Sequence, residues 1–129
     1  MATWPQEELE RIGATDEIGI ASRRADGSVR PYVTIWVVRS GDELYVRSAY
    51  GADNPWYRRA LASGQGRIRA GDSEFDVAFT PAGPETGDDL DAVYHAKYDR
   101  FGQQYVGPVT GPAVHGLAVR LEPLASSGR

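Results

Sequence analysis

The chain has 129 residues, 41% of them hydrophobic, and a formal net charge of -4, which fits one compact domain and gives no general attraction to a nucleic-acid backbone. Cysteine is absent, which excludes disulfides and thiolate metal sites. No apolar run approaches the roughly 20 residues of a membrane helix, and the acidic start "MATWPQEELER" has no apolar signal core, so the expected setting is the cytoplasm, with neither membrane nor nucleic acid as partner.

The first element, "TWPQEELERIG", predicts a short helix: Thr3 and Gln6 have capping-box spacing, Pro5 lies in the first turn, Leu9 and Ile12 share a face, and Gly13 stops it. "EIGIASRRADGSVRPYVTIWVV" predicts two strands joined at Asp26-Gly27, a pair that tolerates the positive φ of a tight hairpin turn. "RSGDELYVRSA" predicts a second hairpin at Ser40-Gly41, and "GRIRAGDSEFDVAFT" a third at Gly71-Asp72. With "HGLAVRLEP" as a final strand the count is about six, and the chain is mostly β. Two further helices interrupt the strands. Asn54 as N-cap, Pro55 at the first position and Gly64 at the end frame one over 56–63. The other runs from Asp88 to Phe101, where Leu90, Val93, Tyr94, Lys97, Tyr98 and Phe101 repeat at helical spacing. The Gly- and Pro-rich segment 102–113 that follows reads equally as a shaped loop or a mobile one.

The turns align the strands. Asp26-Gly27 pairs Ile18 with Ile35 and Ile20 with Val33, while Ser40-Gly41 pairs Ile35 with Val46 and Val37 with Leu44, so one face is continuously aliphatic. Alternation then gathers Gly19, Ala21, Arg23, Arg30, Tyr32, Thr34, Trp36, Tyr45, Arg47 and Ala49 on the other face. The third hairpin sets Arg69 opposite Glu74 and Arg67 opposite Asp76, so its charges compensate. The first hairpin sets Arg23 opposite Arg30 with no carboxylate to answer them, a like-charge pair that is destabilising unless an anion lies between. Aromatics beside Gly and Ala, with cations nearby, suit a planar ring that carries a phosphate or carboxylate. The same residue types also dominate protein interfaces, and an interface and a pocket are compatible readings of this face. For Arg47 and Arg58, surface pairing with Asp42, Glu43 or Asp53 competes with a ligand role, and Trp56 reads as core as well as pocket wall.

Other signals carry less. His95 and His115 lie far apart in sequence, and without cysteine a transition-metal site is not expected. "DDLD" at a helix start compensates the helix dipole. Tyr94, Lys97 and Tyr98 lack the glycine motif that a nicotinamide dehydrogenase would add, and read as two packed rings with a lysine stem laid over them.

The order "SRRADGSVRP", "VTIWVV", "RSGDE", "LYVRSAYG", "NPWYRRAL", "GRIRAG" resembles the deazaflavin-dependent nitroreductase branch of the flavin-binding split-barrel superfamily, over roughly residues 16 to 80, and most of all a short bacterial family of that superfamily with no assigned function. The resemblance implies a six-stranded antiparallel split barrel, FMN-binding split-barrel-like, in one domain over 1–129, working as a homodimer with FMN or a deazaflavin coenzyme at the subunit interface. By position, Arg24, Gly27 and Arg30 match the basic turn near the cofactor phosphate. Ser48 and Gly51 match the small residues after the next strand, and Trp56 lies at the start of the helix that covers the site. With the face residues Thr34, Trp36 and Arg47, and with Arg58, these are the expected cofactor contacts; Tyr32, Tyr45 and Tyr98 are the expected substrate contacts. No catalytic residue is assigned. Where that branch has Lys and Ser in the turn, this chain has Ala25 and Asp26. The implied activity is reduction of a small unsaturated or nitro-type molecule; the alternative is a non-redox homodimer that has lost the cofactor and binds a small anion or a partner.

Overall fold

The computed structural model describes residues 3–49, 51–83 and 86–124. Helix α1 (Gln6–Gly13) begins directly after Pro5, with no side-chain cap, so the Thr3–Gln6 capping box does not form. Its fixed entry comes instead from the proline ring, and Glu7 and Glu8 lie in its first turn, where the helix dipole favours acidic side chains. Leu9 and Ile12 are buried, and Trp4 anchors the segment by donating from Nε1 to the Leu121 carbonyl at 2.8 Å.

Strands β1 (Glu17–Ser22), β2 (Val33–Trp36), β3 (Val38–Ser40), β4 (Glu43–Arg47), β5 (Gln65–Ala70), β6 (Ser73–Ala82) and β7 (Ala118–Pro123) form one antiparallel sheet in the order β2-β1-β5-β6-β7-β4-β3. There are seven strands where six were expected, because the run "VTIWVV" breaks at Val37 into β2 and β3. These two are the outermost strands of the sheet, so the covalent chain through Val37 joins both of its edges. That connection turns an open sheet into a nearly closed barrel.

Registers follow the turn residues in two of three hairpins. Ile18 pairs with Ile35 and Ile20 with Val33, and Arg67, Ile68 and Arg69 pair with Asp76, Phe75 and Glu74. In the hairpin between β3 and β4 the register is two residues further on, Arg39 opposite Leu44 and Val38 opposite Tyr45. A shift of two preserves the facing: Val37, Leu44 and Val46 still join Ile18 and Ile20 in the inner core, while Trp36, Val38, Tyr45 and Ala49 face outward. At the first turn the expectation fails. One extra residue enters the second arm, Arg23 bridges Val29, and Arg30 donates its backbone N–H to the Ser22 carbonyl. Arg23 therefore does not oppose Arg30. Its guanidinium reaches the Asp76 carboxylate at 2.9 Å, where Arg67 also pairs, so a carboxylate does answer it.

Helix α2 (Pro55–Ser63) runs from Asn54 to Gly64, whose φ of 75° supplies the left-handed stop that favours glycine. Helix α3 (Gly87–Tyr98), extended by a single 3-10 turn over Asp99–Phe101, covers the outward face of β3 and β4 and builds a second core from Leu90, Tyr94, Tyr98, Val38 and Tyr45. Segment 102–113 is a shaped loop: a short helix α4 (Gln103–Val106) is followed by 3-10 turns at Gly107–Val109 and Pro112–Val114, with Val106, Val109 and Val114 buried.

Candidate functional site

Among the described residues strand β2 pairs with β1 alone, so its other backbone edge is open. There the barrel is split, and a groove of about 1030 Å³ lies between β2 on one side and the end of β4 with Asn54 and Trp56 on the other. Thr34, Trp36, Phe101, Tyr105 and Trp56 contribute its side-chain surface, with Pro108 and Val109 from the shaped loop. Trp36 is held by Tyr98, whose ring stacks on it at 3.9 Å with an interplanar angle of 4°. The Tyr98 hydroxyl is fixed in turn: it accepts from the Val37 N–H at 3.1 Å and lies 2.6 and 2.7 Å from the carbonyls of Asp16 and Val37. Thr15, Asp16 and Glu17 line one end of the groove, and Asp16 pairs with Arg100 at 2.5 Å.

A buried ionic node lies beneath. Arg47, 1% exposed, donates from Nη1 to Asp91 Oδ1 at 2.5 Å and to the Val109 carbonyl at 2.8 Å, and from Nη2 to the Gly87 carbonyl at 3.0 Å. Asp91 also accepts from the Gly111 N–H and lies 2.8 Å from His115 Nε2. Burial by itself would raise the Asp91 carboxyl, but the bonds from His115, Arg47 and Gly111 outweigh it and hold the group below the usual carboxylate range. Two atoms are left over. Arg47 Nε and the Tyr94 hydroxyl are buried with no partner among the described residues, an arrangement that typically costs about 1–3 kcal/mol per group. Burial pushes the Tyr94 hydroxyl well above its ordinary value. Asp88, Asp91 and His115 bring ligand-type atoms within 4.8 Å of one another, but Asp91 already serves Arg47, Gly111 and His115.

A smaller hollow of about 10 Å³ adjoins the groove, since Val33 and Trp56 belong to both. It is flanked by Ser22, Arg30 and Arg59. Both arginines are half-buried, and neither guanidinium has an ion-pair or hydrogen-bond partner among the described residues.

The family model described as "Uncharacterized protein conserved in bacteria (DUF2255)" matches residues 8–121. The chain belongs to this family. Among curated proteins, none matches it. Solved structures do. One described as a domain-swapped dimer is 16% identical with a TM-score of 0.61, over 90% of this chain and 92% of that one. An F420-H2 dependent reductase is 16% identical with a TM-score of 0.60, over 83% and 94% of the two chains. The FAD and heme binding protein of Mycobacterium smegmatis is 18% identical with a TM-score of 0.55, over 96% and 67%. At these identities the likeness concerns the fold: the DUF2255 chain has the split-barrel architecture of these structures.

The residues expected at the site separate in space. Thr34, Trp36, Arg47 and Trp56 line the groove, and Arg30 lies at the adjoining hollow. Ser48 is buried beside them and donates to the Gly51 carbonyl at 2.5 Å, shaping the turn into α2. Arg24 and Gly27 belong to the exposed hairpin turn, where Arg24 reaches Ser28 Oγ at 3.3 Å and Asp26 accepts from the Ser28 N–H and hydroxyl. Arg58 is on the exposed side of α2. Tyr32 packs over Gly19, with its hydroxyl on Glu74 at 2.8 Å and the Arg69 guanidinium over its ring. Tyr45 and Tyr98 are buried in the second core. Sequence reasoning missed Arg59, Tyr94, Phe101 and Tyr105 as wall residues. Tyr94 and Phe101 were visible only as members of an apolar helical stripe, and nothing in a single helix indicates that part of its stripe faces a groove.

Proposed function

We propose that this protein is a flavin- or deazaflavin-binding oxidoreductase, acting as a homodimer on a small unsaturated or nitro-type molecule. The observation that carries the reading is the split between β2 and β4, an aromatic-walled groove continuous at Val33 and Trp56 with a hollow flanked by two arginines that have no ion-pair partner among the described residues. A planar tricyclic ring suits such a volume and such walls. The open edge of β2 offers backbone donors and acceptors to a ring's polar rim. The groove itself is a poor phosphate site: its one arginine is committed to Asp91, and Asp16 and Glu17 stand at its end. The anionic tail belongs instead with Arg30 and Arg59, whose guanidinium forks match phosphate geometry. The ring, when bound, supplies the hydride chemistry; the chain's own part is to position it and to keep water from its face. The domain-swapped dimer and the reductase among the structural neighbours support the quaternary and chemical readings by likeness of fold.

The second reading, a non-redox anion-binding dimer, draws on Ala25 and Asp26. Asp26 places a carboxylate in the turn beside Arg24, held below the usual range by the Ser28 hydroxyl and N–H, and that weakens the turn as a phosphate clamp. Calorimetric titration separates the two. The redox reading expects FMN and riboflavin both to bind, and Arg30→Ala with Arg59→Ala to weaken FMN roughly 10-fold or more while leaving riboflavin unchanged. Binding of small phosphates without either ring favours the second reading.

A further inference from the structure

All four residues of β2 line the groove, and the two ends of the strand meet opposite charge. At the Val33 end, across from Ile20, lies the hollow flanked by Arg30 and Arg59. At the Trp36 end stands Glu17, its partner in the register, with Asp16 beside it. A cross-strand pair shares one face of the sheet, so the Glu17 carboxylate is a neighbour of the indole. Burial first, and then the charges of Asp16 and Glu17, raise the Tyr98 hydroxyl, whose ring stacks on Trp36. Two cations stand behind this end, and both are engaged: Lys97 turns its ammonium onto the Thr15 and Val37 carbonyls, and Arg100 pairs with Asp16 at 2.5 Å. Glu17 has no ion-pair partner among the described residues. The aromatic wall at the same end is open to water, with Phe101 40% and Tyr105 54% exposed. The chain itself shows what such a ring accepts: the Arg100 guanidinium lies 4.5 Å from the Phe101 centroid while it pairs with Asp16. A cation held between an aromatic face and a carboxylate gains from both.

We propose that the Trp36 end of the groove binds a small organic cation with an alkylated or ring nitrogen centre, held by Trp36, Phe101 and Tyr105, with Glu17 as its counter-charge. Charge complementarity makes the choice. An anion is drawn to Arg30 and Arg59 at the other end; at the Trp36 end it meets two carboxylates, and the groove's own arginine is cancelled by Asp91. A cofactor whose anionic tail lies against Arg30 and Arg59 leaves the Trp36 end to a second molecule, and a groove of about 1030 Å³ stands at the upper end of ligand-site volumes, with room for both. This inference rests on the proposed ring site and names the class of substrate that shares the groove with the ring.

The test is calorimetric titration at low ionic strength with 1-methylquinolinium and with quinoline, a ring of similar shape that is uncharged at neutral pH, each with and without excess riboflavin. The cation is expected to bind about 10-fold tighter than quinoline in both settings. Glu17→Gln, at an exposed position, is expected to cut that preference to about 3-fold while the affinities for quinoline and riboflavin stay unchanged. Equal affinity for the two quinolines, or binding of neither, overturns the inference, and so does a preference that Glu17→Gln leaves intact; riboflavin binding in any of these cases keeps the ring site. A chain that prefers the cation through Glu17 but takes no riboflavin keeps the cation site and loses the ring reading.

Discussion

Arg47 shows how a single charge acquires its role from a residue 44 positions away. It lies on the outward face, as alternation requires, and the sequence pattern marks it as unbalanced. Its partner was hidden in "DDLD", where each carboxylate reads as an answer to the helix dipole; only the packing of α3 over β4 brings Asp91 to it. Removing one member of a buried pair leaves the other charge uncompensated, so Asp91→Asn is expected to lower stability by roughly 3 kcal/mol. Urea unfolding measures this as a lower midpoint at unchanged slope. A loss under about 1 kcal/mol would mean that water reaches the pair. Arg23 teaches the converse. Its apparent like-charge partner vanished through one inserted residue in the hairpin, a change that no composition signal announces.

The hairpins were readable because glycine marks their turns: Gly27, Gly41 and Gly71 all have positive φ, between 60 and 89°. The break between β2 and β3 was not, because "VTIWVV" is an uninterrupted apolar run with no turn residue, and the bend at Val37 is imposed by closure of the sheet rather than by local preference. The loop after α3 likewise needed its buried valines to choose between order and mobility. Gly66 is a sharper case within β5. A Cβ there would lie 2.0 Å from the Ala21 carbonyl oxygen and 2.9 Å from the Phe79 ring, and backbone cannot yield as a side chain can. Gly66→Ala is expected to destabilise by at least about 1–3 kcal/mol through separation of β1 from β5. Hydrogen exchange localises the effect: protection falls first in β1 and β5, whereas uniform loss across the sheet would point to a general weakening.

Across the molecule, burial gives the stability a distinctive alkaline profile. Desolvation lowers the Lys97 ammonium to about 8, even though it donates to the Thr15 and Val37 carbonyls at 2.6 and 2.7 Å. Between about pH 8 and the ordinary lysine value of 10.5 the unfolded chain holds the extra proton, so unfolding free energy rises with pH across that window. The tyrosines act in the opposite sense. Burial raises Tyr32 to about 12 and pushes Tyr94 and Tyr98 up as well, so above pH 10 the unfolded chain sheds protons that the folded chain retains, and stability falls. Denaturant midpoints should therefore peak between about pH 9 and 10, and Lys97→Met should abolish the rise while leaving the fall. A midpoint that declines steadily from pH 8 would contradict this.

The groove depends on the same closure that the strand count missed, since it occupies the place where β2 parts from β4. Its aromatic face was foreseeable from alternation; the neutralisation of Arg47 by Asp91 and the groove's extension toward Arg30 and Arg59 were not, because both follow from three-dimensional pairing. The decisive measurement is a calorimetric titration of the purified protein with FMN, riboflavin and a reduced deazaflavin coenzyme. The account predicts saturable binding of at least one flavin-type ring, with the phosphate's share of affinity lost in the Arg30→Ala, Arg59→Ala variant. No heat of binding and no spectral change with any of the three would contradict it.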